Sequence, residues 1–527
     1  MLKARTGTML HPALYDPAAV VLPHSPTTSS SRDGSPFEEK KPAATPTTPT
    51  GLSTPPDSVC VDEYPILKAF ALAITTSDPI DLRLFEVNCE QQKYWGDARV
   101  RKQLKWFKNA QLSFPQTYYS KLSPVGAQIL NQGRPAQTSP RVKDADFLFG
   151  NCADLEQWVV KGTGDKLFLL RDQAWLNTRP QCTGSTMLQE LQANGRSELL
   201  VEVQRLEKEF QFDQNSVERL EINEVIKNWS IRDQSKPPLN LLSLKCTDDG
   251  TVPWPLAKHC NLLNQAASFA ASTAQSAFYA TAGKQSTEVI SKAVDLQSCM
   301  HFQIFGQAGA ISSWHMDSIG PYTYITLELN EDGQPPDSVL KLWAYVRTDH
   351  LPEDEREKVM QDFKRQGDDF RPNPAHIRVI SLVAGDTLVM PPGTIHAPLT
   401  ITDCLFRGGM VMQKKEMRRS MRAWRFCSEN GNCTNEEQPR QARSVLDFFR
   451  NLLRADPAAC GYAGEGGLVE FEDDWRKIAG DSLVCKCKGS CNKRRCGCYV
   501  STQRCGNKCH SGSAKCDNPY GCEASVL

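Results

Sequence analysis

Nine cysteines, Cys485, Cys487, Cys491, Cys496, Cys498, Cys505, Cys509, Cys516 and Cys522, crowd the end of this 527-residue chain, with lysines and arginines between them and almost no large aliphatic side chain. A segment this short and polar buries too little apolar surface to offset the entropy of ordering its backbone. Its folding free energy therefore has to come from metal–thiolate bonds or from disulfides. An odd number of cysteines speaks against disulfides. The first residues lack an apolar core of signal-peptide length, and no run of about 18 uncharged apolar residues suits a membrane span. A soluble intracellular protein is expected, with no membrane partner, and reduced thiols in that compartment again favour metal. The other eleven cysteines, Cys152, Cys246 and Cys404 among them, are scattered and read as small core residues.

Charge balances over the whole chain, 61 basic residues against 61 acidic, but not locally. From Cys485 onward eight Lys or Arg stand against Asp517 and Glu523, a footprint suited to phosphate. Residues 1–60 hold ten of the 33 prolines amid Ser/Thr runs and show no hydrophobic periodicity, so they read as a disordered tail. Ser25, Ser35, Thr45, Thr48 and Thr54 each precede a proline there. Residues 61–140 read as a helical region, with Ile66, Leu67, Phe70, Val100, Leu104 and Phe107 at helical spacing.

Residues 141–412 form the next unit. Short β-like runs (DFLFG, KLFLLRD) alternate with helix-like stretches and end in EINEVIKNW and KPPLNLL. From 301 to 412 the texture becomes strands between Gly, Pro and Asp turns: HFQIFG, YTYITLELN, VLKLWAYV, IRVISLV, DTLVMPP and FRGGMVM. Many short strands of this kind suit a β-barrel or jelly roll. Residues 413–460 read as helical, with Met417, Met421 and Trp424 on one face among basic residues and a second amphipathic helix in SVLDFFRNLLRA. Residues 461–484 read as a linker, and 485–527 as the zinc-binding end.

Within the β-rich block, Gly309 is followed after five residues by His315-Met316-Asp317, and Gly385 after five by Pro391, then Gly393 and His396. Residues i and i+2 of a strand share a face, so His315 and Asp317 are expected to project together from one strand, with His396 joining them from a neighbour. Two imidazoles and one carboxylate leave three positions open on an octahedral ion, the triad used for Fe(II) and oxygen chemistry. Gly385-Asp386 supplies a tight turn, and Met390-Pro391-Pro392-Gly393 a rigid bend that delivers His396.

The stretches SSWHMDSIGPYTYITLEL, LKLWAYV and GDTLVMPPGTIHAPLTITDCLFRGGMVM resemble the JmjC family of Fe(II)- and 2-oxoglutarate-dependent oxygenases, of the fungal type. The resemblance implies an α+β fold with a double-stranded β-helix (cupin-like) core and flanking helices. It implies iron on His315, Asp317 and His396, and 2-oxoglutarate as cosubstrate. The family's lysine for the distal carboxylate of 2-oxoglutarate falls on Lys341, two residues before Trp343, and its hydroxyl on Ser312. Its further polar residue, about ten positions past the first ligand, falls on Ile325, which leaves the flanking Thr326 as the candidate contact. The stretch NEDGQPPDS lengthens the turn before Lys341.

The cysteine spacing, with CKCKGSCNKRRCGC and the closing CDNP, is similar to the CXC domain of tesmin-like and chromatin proteins. Nine thiolates hold three tetrahedral zinc ions only if three sulfurs bridge. The resemblance implies such a three-zinc cluster, with His510 as a substitute ligand, and DNA contact through the surrounding basic residues. Together these features predict a nuclear, chromatin-associated dioxygenase tethered to DNA, whose most natural specific case is a histone-lysine demethylase acting on a histone tail. The rivals are a non-catalytic DNA-binding regulator using the barrel as an interaction surface, and a protein hydroxylase with another protein substrate.

Overall fold

The computed structural model describes residues 102–480, apart from 112–123, 140–141, 162–164, 181–182, 194–199, 205–216, 231–237, 246–250, 272–294, 331–337, 437 and 440. The expected tail at 1–60, the helical region up to 101, Cys246 and the zinc-binding end at 485–527 lie outside the described residues.

The fold is mixed α+β, and its described strands form two sheets. Before residue 300 come β1 (Arg134–Pro135), β2 (Phe147–Gly150), β3 (Leu167–Leu170), β4 (Leu200–Gln204), β5 (Val217–Glu221) and β6 (Asn240–Lys245). After it come β7 (Phe302–Gly306), β8 (Tyr322–Leu327), β9 (Lys341–Val346), β10 (Ile377–Leu382), β11 (Thr387–Met390), β12 (His396–Thr400) and β13 (Cys404–Val411). The smaller sheet has the order β1-β10-β9-β12, and the larger one β2-β3-β11-β8-β13-β7-β6-β4-β5. Only β1–β10 and β2–β3 pair in parallel; the remaining neighbours are antiparallel. From β8 onward the chain crosses between sheets again and again: β8 lies in the larger, β9 and β10 in the smaller, β11 in the larger, β12 in the smaller and β13 in the larger.

This winding stacks the two sheets. Trp343 of β9 meets Phe406 of β13 edge-on at 6.5 Å and donates its indole N–H to the Met390 sulfur of β11 at 3.1 Å. Strands β8, β9 and β13 are buried along their whole length, which accounts for their nearly continuous apolar sequences. The expected turn before β11 is made by Gly385 at φ +81°, a conformation that costs an L side chain roughly 1–2 kcal/mol and glycine nothing. The Asp386 carboxylate then closes it by accepting the Val383 N–H at 3.0 Å.

The helices are part of this core. Helix 102–111 buries Trp106, Phe107 and Ala110 against Ile377 and Val379 of β10. Strand β1 is too short to reach Ser381, so the Gln103 amide pairs with that residue's backbone instead, donating to its carbonyl at 2.9 Å and accepting its N–H at 2.7 Å. Helix Met417–Glu429 buries Met417, Met421 and Trp424 in the cluster that holds Trp343, Met390 and Phe406, and helix Ala442–Ala455 adds Val445, Leu446 and Phe449.

The expected linker at 461–484 is corrected by the structure, because it contains helix Gly467–Gly480. Phe471, Trp475 and Ile478, at helical spacing, bury into the same cluster. Arg443 and Arg450 lie over the Trp475 ring at 4.3 and 3.4 Å. Its acidic face takes up the basic residues of helix Met417–Glu429: Glu470 accepts from Arg418 at 2.5 Å and from Arg422 at 2.8 Å, and Asp474 from Arg425 at 3.0 Å. Among the described residues, no helix is long and apolar enough to cross a membrane.

Candidate metal centre

His315 and His396 face each other across an isolated antiparallel bridge and exchange both backbone hydrogen bonds, at 3.0 and 2.9 Å. A pair of this kind points its side chains to one face of the sheet, and the two imidazole centroids stand 4.2 Å apart. Each ring is fixed by its Nδ1–H, which donates to a carbonyl two residues earlier: Ser313 for His315 at 2.7 Å and Thr394 for His396 at 3.1 Å. A carbonyl can only accept, so in the neutral rings both Nε2 atoms carry a free lone pair. Burial first, and then the neighbouring His396, push His315 well below the usual imidazole range and keep it neutral. Trp343 stacks on His396 at 5.3 Å and 12°.

Asp317 completes the group. Its Oδ1 stands 3.8 Å from His396 Nε2, and its Oδ2 accepts the Thr323 hydroxyl. One ligand atom from each of His315, Asp317 and His396 lies within 4.8 Å of the others, so the group can hold a metal ion. Two imidazoles oriented through Nδ1 and a carboxylate already held by a hydroxyl make a donor set of the kind that supported metal sites use.

One part of the expected geometry differs. His396 opens strand β12 as the Pro-Pro-Gly bend requires, with Gly393 at φ +81°, but His315 sits in a lone bridge and Asp317 in the loop beyond it. The backbone around Asp317 is engaged elsewhere. Met316 donates to the Cys433 carbonyl at 2.9 Å, and Ser318 donates to Glu436 Oε2 at 3.0 Å. The two-residue alternation nonetheless survives, with Trp314 and Met316 packed in the core while His315 and Asp317 line a cavity.

Lys341 and Ser312 line the same cavity. Lys341 opens β9, is 2% exposed and places its ammonium over the Phe406 ring at 4.3 Å. No carboxylate pairs with it among the described residues, and burial lowers it from 10.5 to about 8.

Thr326 is not brought into the site. It shares a strand face with Tyr324, while Thr323 and Ile325 point into the cavity, and its hydroxyl bonds Thr387 at 2.8 Å. The period of two along β8 therefore gives the polar cavity position to Thr323, two residues before Ile325 on the same face.

Glu436 is the other residue that sequence reasoning missed. It borders the cavity from a segment beyond the sheets, and no local signal announces it. Burial first, and then the Asp317 carboxylate, push it up to about 8. A carboxyl in that setting gives up its proton readily only when a positive charge comes beside it. Of the scattered cysteines among the described residues, Cys152, Cys260, Cys404, Cys427, Cys433 and Cys460 are buried and Cys299 is partly exposed, and burial pushes the Cys152 and Cys427 thiols up. No protein-family model matches this chain, and no curated protein matches it.

Proposed function

We propose that this protein is an Fe(II)- and 2-oxoglutarate-dependent oxygenase of the JmjC type, its two stacked sheets forming a double-stranded β-helix. The observation that carries this reading is the convergence of His315, Asp317 and His396 in a cavity that also holds the ammonium of Lys341, which no carboxylate pairs with among the described residues. His315 and His396 would hold the iron through their lone-pair Nε2 atoms, and Asp317 through the oxygen that Thr323 leaves free. Lys341 is a buried positive charge with room beside it, the partner a dicarboxylate needs, and Ser312 adds a hydroxyl. Bound iron with 2-oxoglutarate supplies the oxidation of a substrate C–H bond by oxygen. The chain's own contribution is to fix three donors before any metal arrives, to hold the cosubstrate's charge and to keep bulk water out.

The substrate belongs to chromatin in this reading, with a histone lysine demethylase as its specific form and the nucleus as its place. Cys485, Cys487, Cys491, Cys496, Cys498, Cys505, Cys509, Cys516 and Cys522 would hold zinc, and the lysines and arginines among them would contact DNA. Ile325 at the cavity wall, where the resemblance calls for a polar contact, favours one rival: a regulator that keeps the fold without the reaction.

Anaerobic loading with Fe(II), followed by oxygen-dependent turnover of 2-oxoglutarate in wild type and His315→Ala, separates the two. Turnover that needs iron and disappears in the variant is the expected result. A wild-type protein that binds Fe(II) and leaves 2-oxoglutarate untouched with every histone peptide tried would favour the regulator. Formaldehyde release then marks a demethylase, and a mass gain of one oxygen on the peptide marks a hydroxylase.

A further inference from the structure

The cavity carries a second carboxylate that the metal group does not use. After helix Met417–Glu429 the chain makes a short turn at Gly431–Cys433 and runs beside the ligand loop, bonding it on both sides of Asp317. Cys433 O takes the Met316 N–H at 2.9 Å, and Glu436 Oε2 takes the Ser318 N–H at 3.0 Å. This anchoring turns the Glu436 carboxylate toward the cavity that His315, Asp317 and His396 line. Among the described residues no lysine, arginine or histidine pairs with it, and Lys341, the cavity's ammonium, makes no ion pair with it either.

Two carboxyl groups in one small cavity, neither ion-paired with a lysine or arginine among the described residues, are costly, and a protein keeps such an arrangement where a ligand supplies the missing charge. The metal answers for Asp317. Glu436 lines the same cavity as the metal group and is tied to the residue after Asp317, which puts it in reach of what enters beside the metal. The cavity thus holds an ammonium at Lys341 and, at Glu436, a carboxyl group that an incoming cation would ionise.

We propose that Glu436 is a specificity-determining residue that receives the positively charged nitrogen of a basic side chain while the carbon next to that nitrogen is presented to the metal. The proposal rests on the oxygenase reading and narrows its substrates to amines and guanidines over neutral side chains.

The test uses the full chain loaded with Mn(II) as a redox-inert ion, with 2-oxoglutarate present. The probes are Nα-acetyl-Nε-trimethyllysine amide and its neutral isostere, in which a carbon replaces the charged nitrogen. Wild type is expected to bind the cationic probe at least about tenfold tighter than the neutral one, a preference that Glu436→Gln abolishes. Glutamine keeps an oxygen for the Ser318 N–H, so Mn(II) affinity and melting temperature stay near wild type. Glu436→Lys is expected to bind the neutral probe better than the cationic one.

An undiminished preference in Glu436→Gln overturns the proposal. So does a loss of Mn(II) affinity in that variant as large as in Asp317→Ala, which would make Glu436 part of the metal site. Absence of Mn(II) binding in wild type would instead refute the oxygenase reading, a separate failure.

Discussion

Lys341→Met separates what this side chain does for the fold from what it does for the site. The ammonium is 2% exposed and rests on the Phe406 ring at 4.3 Å, and burial lowers it from 10.5 to about 8. A displacement of that size corresponds to about 3 kcal/mol by which burial in the fold disfavours the charged form. The folded value lies below the unfolded one, so the unfolded chain holds the extra proton between about pH 8 and 10.5. The destabilisation is therefore complete below about pH 8 and is relieved as pH rises from 8 to 10.5. Methionine keeps the linear shape and removes the charge. Allowing about 1 kcal/mol for the lost contact with Phe406, Lys341→Met should stabilise the protein by about 2 kcal/mol at pH 7 and by little at pH 10.5. Urea unfolding at the two pH values measures this. Calorimetric titration of 2-oxoglutarate into the Mn(II)-loaded protein measures the other side, where the variant should bind at least about 30-fold more weakly for want of a charge-assisted bond. A variant destabilised by about 1 kcal/mol or more that binds 2-oxoglutarate as wild type does would refute the reasoning. Lys341 would then be a structural lysine.

The same titration in wild type should show 2-oxoglutarate affinity constant below about pH 8 and falling by up to about tenfold per pH unit above it, because the anion binds only the protonated ammonium; flat affinity up to pH 10 would exclude Lys341 as the partner. Thr323→Val removes the hydroxyl that steadies Asp317 Oδ2 and should lower Mn(II) affinity by about 10- to 100-fold while the melting temperature stays nearly unchanged, since valine suits a strand. Equal Mn(II) affinity would mean that the carboxylate is held by other contacts. Gln103→Ala removes both hydrogen bonds that its amide makes to the Ser381 backbone in the core and should cost about 1–3 kcal/mol in urea unfolding without altering Mn(II) affinity.

How much of the fold and site is legible in the sequence depends on how far apart the cooperating residues lie. His315, Asp317 and His396 are readable because a strand's alternation and a Pro-Pro-Gly bend are local, and each motif carries its own glycine. The helix Met417–Glu429 is readable for the same reason, since Met417, Met421 and Trp424 announce one face. Thr326 is misplaced by the resemblance because that counts residues along the chain, whereas the pleat of β8 decides by parity and selects Thr323. Helix Gly467–Gly480 hides although Phe471, Trp475 and Ile478 have helical spacing, since the glycines at 461, 464, 466 and 467 read as a loop. Glu436 has no local signature at all. It acts through a hydrogen bond to a residue 118 positions away, and only the folded chain supplies that pairing.

That distance has a consequence for how the site is held together. Asp317 stands between two supports of different origin. The His315–His396 bridge belongs to the sheets, while the bonds to Cys433 and Glu436 come from the chain beyond them. The second support is fixed in turn by helix Met417–Glu429, whose Met421 and Trp424 share a core cluster with Trp343 and Met390, and whose Cys427 thiol donates to the Asp317 carbonyl at 3.7 Å. Helix Gly467–Gly480 braces that helix through Glu470 and Asp474. The helices after Met412 are therefore not an appendage to two self-sufficient sheets. They set the loop that carries the only carboxylate of the metal group, and the geometry at Asp317 depends on their packing as directly as on the strands.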